Sequence, residues 1–61
     1  MRYSIKELRA RNNMTQKDMA SALGLSLTAY NYWENNIDRL TISKLKALCK
    51  VLNVSIHDVE I

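Results

Sequence analysis

Apolar residues return along this chain at helical spacing, in blocks separated by short polar breaks. Ile5 and Leu8 share one side of the first block, with Lys6 and Arg11 as solvent-facing candidates. Met19, Ala20 and Leu23 share one side of the next, and Tyr30 and Trp33 one side of the block after it. The longest stripe is Ile42, Leu45, Leu48, Cys49 and Leu52. Recurrence at i, i+3, i+4 and i+7 places residues on one face of an α-helix. No stretch carries a strand signal.

Ser and Thr mark where these blocks begin. Ser4 with Glu7, Thr15 with Asp18 and Ser55 with Asp58 form capping-box patterns, in which each side chain satisfies a backbone N–H at a helix start. Ser26 and Thr41 are N-caps for two further helices. Asn12-Asn13, Asn35-Asn36 and Asn53 mark helix ends, because Asn tolerates a left-handed backbone. Gly24, the only glycine, stands where the second helix must close. The pattern predicts helices after Ser4, Thr15, Ser26, Thr41 and Ser55, the last of them short and covering residues 56–59, with residues 37–40 as a loop. The fold class is therefore all-α, a compact five-helix bundle. The expected core is Ile5, Leu8, Met14, Met19, Ala20, Leu23, Leu25, Tyr30, Trp33, Ile42, Leu45, Leu48, Cys49, Leu52, Val54, Ile56 and Val59. With Trp33 in this core, Trp33→Ala should cost roughly 3–5 kcal/mol.

Sixty-one residues allow one small domain over the whole chain, and 48% hydrophobic content suffices for a core without staples. The single cysteine, Cys49, excludes an internal disulfide and fits a reducing compartment. No apolar run approaches the roughly 20 residues that cross a membrane. The start of the chain leads into a polar amphipathic helix rather than an apolar signal core, so a cytoplasmic protein is the expectation. Net charge is +3, which suits a polyanionic partner without naming one. The same charge serves plain solubility in many small domains.

Enzymatic chemistry has little material here. His57 is the only histidine and lies beside Asp58, the arrangement of a solvated or capping residue. Cys49 lies on the apolar stripe and reads as a small core residue rather than a nucleophile. No Cys/His cluster has metal-ligand spacing, and one glycine cannot form a phosphate-cradling loop. No cofactor, metal or small-molecule ligand is expected.

The informative stretch is 16–33. Two short amphipathic segments flank Gly24, Ser26 follows as an N-cap, and the small Ala20 lets two helices approach closely at a steep angle. Helix, sharp turn, helix is the geometry of a DNA reader, and the same turn chemistry serves an ordinary αα-hairpin. Here Thr15-Gln16 opening a helix, Ala20, Gly24, Tyr30 and the run Tyr32-Trp33-Glu34-Asn35 resemble the Cro/CI-type helix-turn-helix family of phage repressors and xenobiotic-response-element regulators. The resemblance extends from Ile5-Lys6-Glu7-Leu8-Arg9 to Val54-Ser55-Ile56, nearly the whole chain. It implies a lambda-repressor-like DNA-binding domain whose helix-turn-helix is made by the second and third helices. The family usually carries glycine where Asn36 stands, and Asn is the best replacement at positive φ.

The resemblance also implies a site. The third helix, capped by Ser26, would enter the major groove of double-stranded DNA, with Leu27, Thr28 and Tyr32 at positions that commonly touch base edges. Thr28 can bond a base or offer its methyl to thymine, and Leu27 can make only apolar contact, for which thymine methyls are the obvious target. Asn31 could pair with adenine, or with neighbouring backbone. Tyr32 can bond a phosphate or a base edge. Gln16 matches a residue that bonds the DNA backbone and braces the recognition helix. Lys17, Asn35, Arg39 and Lys44 would flank the same side as a phosphate clamp. Arg9 and Glu34 match a partly buried ion pair that ties the first helix to the end of the third.

Together these features predict a sequence-specific DNA-binding regulator, a small Cro-like or other phage-style repressor that blocks transcription by occupying an operator. A module this small binds weakly alone, so a homodimer on a pseudo-palindrome is expected, with half-sites about 34 Å apart and residues 56–61 as the dimer surface. The chain could equally be the excised DNA-binding domain of a longer protein. The rival reading is an antitoxin-like or adaptor protein that uses the fold for protein contact, because the outer face of the third helix has no Arg, Lys or Gln.

Overall fold

Each helix starts where a Ser or Thr side chain can take up a free N–H. In the computed structural model, which describes residues 2–61, these helices are α1 (Ile5–Arg11), α2 (Gln16–Leu23), α3 (Leu27–Asn35) and α4 (Ile42–Leu52). Ser4 and Glu7 form a complete capping box, as do Thr15 and Asp18. Ser26 Oγ accepts from the Ala29 N–H at 3.1 Å, and Thr41 Oγ1 from the Lys44 N–H at 3.3 Å.

Three of the helices end with the same device. Asn13 (φ 55°), Gly24 (φ 70°) and Asn53 (φ 56°) are left-handed. The next N–H reaches back six residues inclusive: Met14 to Arg9 at 3.1 Å, Leu25 to Ala20 at 2.8 Å and Val54 to Cys49 at 3.0 Å. This closure turns Met14, Leu25 and Val54 inward, and all three pack partly buried against the core. α3 ends differently. Asn36, expected at positive φ, has φ −134°, and its side-chain Nδ2 instead donates to the Tyr32 carbonyl at 2.9 Å. The side chain satisfies the helix end, so the backbone need not turn left-handed.

The five-helix count does not hold. The described residues form four α-helices and two 3-10 turns, Ile37–Arg39 and Ile56–Asp58. The first replaces an expected loop. The second replaces the expected fifth helix, because three residues after the Ser55 cap cannot close an α-helical ladder. Its capping box with Asp58 is nonetheless present. An unforeseen contact follows it: the Tyr3 N–H donates to the Asp58 carbonyl and the Glu60 N–H to the Tyr3 carbonyl, both at 2.8 Å, pairing Tyr3 in parallel with Val59. Arg11 lies over the Tyr3 ring at 4.1 Å.

α2 packs against both α3 and α4. The buried centre is Ile5, Leu8, Met19, Ala20, Tyr30, Leu48, Cys49, Leu52 and Val59, with Leu45 also buried. Leu23, Trp33 and Ile56 are only partly buried, and Tyr3, Ile37, Leu40 and Val51 join them unpredicted. Ile42 is a correction to the expected core: it is 58% exposed. As the first residue of α4, it carries the apolar stripe one turn past the packed part of the domain. No helix is long and apolar enough to cross a membrane among the described residues.

Candidate nucleic-acid interface

α3 has two chemically different sides. Tyr30 is fully buried and Glu34 nearly so, while Leu27, Thr28, Asn31, Tyr32 and Asn35 are all exposed. The exposed set falls at i, i+1, i+4, i+5 and i+8, a continuous stripe along the helix. Leu27 and Tyr32 are 51% and 52% exposed, high for residues of their size.

The inner side is fixed by Glu34. Its Oε2 accepts from Arg9 Nε at 3.0 Å and from the Tyr30 hydroxyl at 2.7 Å. Its Oε1 accepts from Gln16 Nε2 at 3.2 Å and from Arg9 Nη2 at 3.4 Å. Arg9 Nη1 also donates to the Met14 carbonyl at 2.9 Å, tying the α1–α2 link to the same centre. One carboxylate therefore joins α1, the start of α2 and the length of α3. Burial pushes its pKa up, but the donors Arg9, Tyr30 and Gln16 and the Arg9 charge outweigh this and hold it below the usual glutamate range. Burial pushes the Tyr30 hydroxyl well above its ordinary value, with the hydrogen bond and charge of Glu34 adding to it, so it acts as a donor only. Gln16, expected to brace the recognition helix, does so through Glu34, a partner the sequence does not name, and Tyr30 as a partner of Glu34 is missed altogether. The signal for Tyr30 was available, since positions four apart meet on a helix.

On the outer side, Gln16, Leu27, Thr28 and Asn31 line one shallow depression, and Lys17, Ala20, Ser21, Leu25 and Leu27 line another. Leu27 thus stands as a ridge between two hollows. Asn31 Nδ2 donates to Gln16 Oε1 at 3.3 Å and Asn35 Nδ2 to Asn31 Oδ1 at 3.0 Å. The amide of Asn31 meets neighbouring side chains rather than backbone. Lys44 Nζ lies 5.5 Å from the centre of the Trp33 ring, which places α4's first turn beside the end of α3. Arg39 is exposed on the 3-10 turn that follows α3. The structure thus brings Gln16, Lys17, Leu27, Thr28, Asn31 and Asn35 onto one continuous surface.

The candidate phosphate-binding cations are free of acid partners. Arg9–Glu34 is the one ion pair among the described residues, so Lys17, Arg39 and Lys44 hold no acid partner there. At the start of α2 the N–H groups of Gln16 and Lys17 have no intrahelical acceptor. The Asp18 carboxylate stands at the same end and opposes an anion. Hydrogen bonding by Thr15, led by its backbone N–H at 2.8 Å, then the Lys17 charge, hold its pKa low. Burial, then the Asp58 charge, pushes the Cys49 thiol up, which disfavours the thiolate. No group of three or more His, Cys, Asp or Glu among the described residues could hold a metal.

A family model described as Helix-turn-helix matches residues 5–59. No match was found among curated proteins or among solved structures.

Proposed function

The chain belongs to the Cro/CI-type helix-turn-helix family of DNA-binding regulators, and from that premise we propose that it is a sequence-specific repressor that blocks transcription by occupying an operator. The observation that carries this reading is the division of α3. Glu34 anchors its inner side to α1 and α2, and the outer stripe of Leu27, Thr28 and Tyr32 is left exposed and fixed in place. A rigid helix with an exposed, chemically varied face is what major-groove reading requires.

Ser26 and Thr28 supply hydroxyls at the N-terminal end of α3, the end that meets base edges in this geometry. Leu27, raised between two hollows, suits thymine methyl groups. Tyr32 offers a hydroxyl to a phosphate or base edge. Gln16, Lys17, Asn35, Arg39 and Lys44 surround the stripe with donors and unpaired cations for the DNA backbone. A two-fold homodimer reading a pseudo-palindrome is part of the proposal, in a cytoplasmic protein, with the dimer surface on residues 56–61; within that stretch Val59 is buried and Ile56 packs against the core, which leaves the exposed residues, Ile61 above all, to make the contact.

The test is substitution on the stripe. Thr28→Ala and Tyr32→Phe, measured on a duplex selected by the parent chain and on its single-base variants, should relax preference at particular base pairs. Uniform weakening on all duplexes would remove both residues from base reading. The absence of Arg, Lys and Gln from the stripe, with Leu27 and Tyr32 half exposed, favours a second reading as an antitoxin-like or adaptor surface. In that case the same substitutions abolish a protein complex and leave DNA binding unchanged.

A further inference from the structure

Glu34 is an acceptor-only group, and that fixes the orientation of three amides beyond it. Gln16 must turn its Nε2 toward the carboxylate, 3.2 Å away, which directs its Oε1 to Asn31. Asn31 must then present its Nδ2 to that oxygen, at 3.3 Å, which directs its Oδ1 to Asn35. Asn35 completes the row by donating its Nδ2 at 3.0 Å. Every link runs in the same sense, and reversing any one amide would set two donors or two acceptors against each other. The row runs from a nearly buried carboxylate out to the exposed stripe of α3.

This arrangement bears on what Asn31 can do. Reading adenine by an Asn side chain uses the amide oxygen and nitrogen together, both turned to one base edge. In this chain they are turned to opposite neighbours, Gln16 on one side and Asn35 on the other. The nitrogens of Gln16, Asn31 and Asn35 each use one N–H within the row and keep a second. A phosphate is itself an acceptor-only anion, so a row that leaves N–H groups over at Gln16 and Asn35 matches it.

We propose that Asn31 is a positioning residue rather than a base reader: it links Gln16 to Asn35 and presets their spare N–H groups toward DNA phosphates. The proposal rests on the duplex-binding reading of α3.

The experiment starts from a duplex selected by the parent chain out of a random library. Asn31→Ala, Gln16→Ala and the double variant are titrated against that duplex, its single-base variants and a scrambled duplex, with thermal melting of each protein alone. Phosphate positioning is blind to sequence, so Asn31→Ala weakens selected and scrambled duplexes by the same factor, about 3–10-fold, with an unchanged base-preference profile. Its melting midpoint stays at the parent value, because the side chain is exposed. The double variant loses less than the product of the two single losses, because both residues serve one row. Relaxed preference at a single base pair would make Asn31 a base reader and overturn the proposal. So would single losses that simply multiply, or no loss at all. A parent chain that selects no duplex would overturn the duplex reading and the proposal together, and that outcome is known before any variant is made.

Discussion

Arg9 in α1 and Glu34 in α3 meet with Nε 3.0 Å from Oε2, and their side chains are only 15% and 4% exposed. The pair does more than close a bundle. The carboxylate that receives Arg9 also receives Tyr30 from the core and Gln16 from the start of α2, so helix orientation and the candidate DNA surface depend on one group.

Arg9→Ala should therefore destabilise the domain strongly. It removes the only charged partner of a nearly buried carboxylate and leaves two neutral donors. Stranding a fully buried charge costs about 3–5 kcal/mol, and the remaining donors and slight exposure reduce this to about 2–4 kcal/mol. Urea denaturation gives the value directly. A loss below about 1 kcal/mol would show that the pair contributes no more than a surface contact.

The lowered pKa of Glu34 makes stability depend on acid. A carboxyl whose folded pKa lies below its unfolded value contributes stability that is present above the unfolded value, about 4.3 for glutamate, and lost as pH falls through the folded one. Asp18 acts in the same direction. The urea midpoint should hold between neutral pH and about pH 5, then fall as the unfolded chain takes up protons first. The same series on Glu34→Gln should give a shallower fall in acid. Parallel curves would assign the acid sensitivity to other groups.

Tyr30 and Trp33 should differ as anchors. Trp33 is partly buried under Lys44, whereas Tyr30 is fully buried with its hydroxyl on Glu34. Tyr30→Ala should reach the upper part of the roughly 3–5 kcal/mol range for a large core aromatic, and Trp33→Ala, expected in that range from the sequence, should cost about 2–3 kcal/mol because its ring is only partly buried. Equal losses in chemical denaturation would contradict the ranking.

Gly24→Ala should cost about 1–2 kcal/mol, all of it from the backbone. At φ 70° an L-residue is strained, yet nothing lies within 4 Å of the added methyl. Gly24→Asn should lose less, as Asn13 and Asn53 hold the same conformation at the ends of α1 and α4. If Asn were as costly as Ala, some contact beyond φ would be at work.

Local chemistry was the legible part of this fold. The Ser4, Thr15, Ser26 and Thr41 caps and the closures at Gly24 and Asn53 are where the sequence places them, because each depends on residues within one turn. What was not legible depends on distant partners. Tyr3 pairs with Val59 through backbone groups that leave no local pattern. Ile42 fits the α4 stripe but lies past the end of what the stripe packs against. The Arg9–Glu34 contact and the brace of Gln16 on the recognition helix are anticipated only through family resemblance, and the continuation of that brace through Asn31 to Asn35 is not anticipated at all. Its members are polar residues whose spacing says nothing until two helices are placed side by side.

The central claim is that the exposed face of α3 reads duplex DNA. The most direct test is selection from a random duplex library, followed by titration of the winner and a scrambled duplex across a salt series. The account predicts a pseudo-palindromic site bound at least about 10³-fold more tightly than the scrambled control. If about four to six phosphates are neutralised per subunit, affinity should fall with log salt at a slope of about −0.9 per phosphate. Weak binding that ignores sequence and vanishes by physiological salt would contradict the account. It would reduce the net charge of +3 to a general electrostatic attraction.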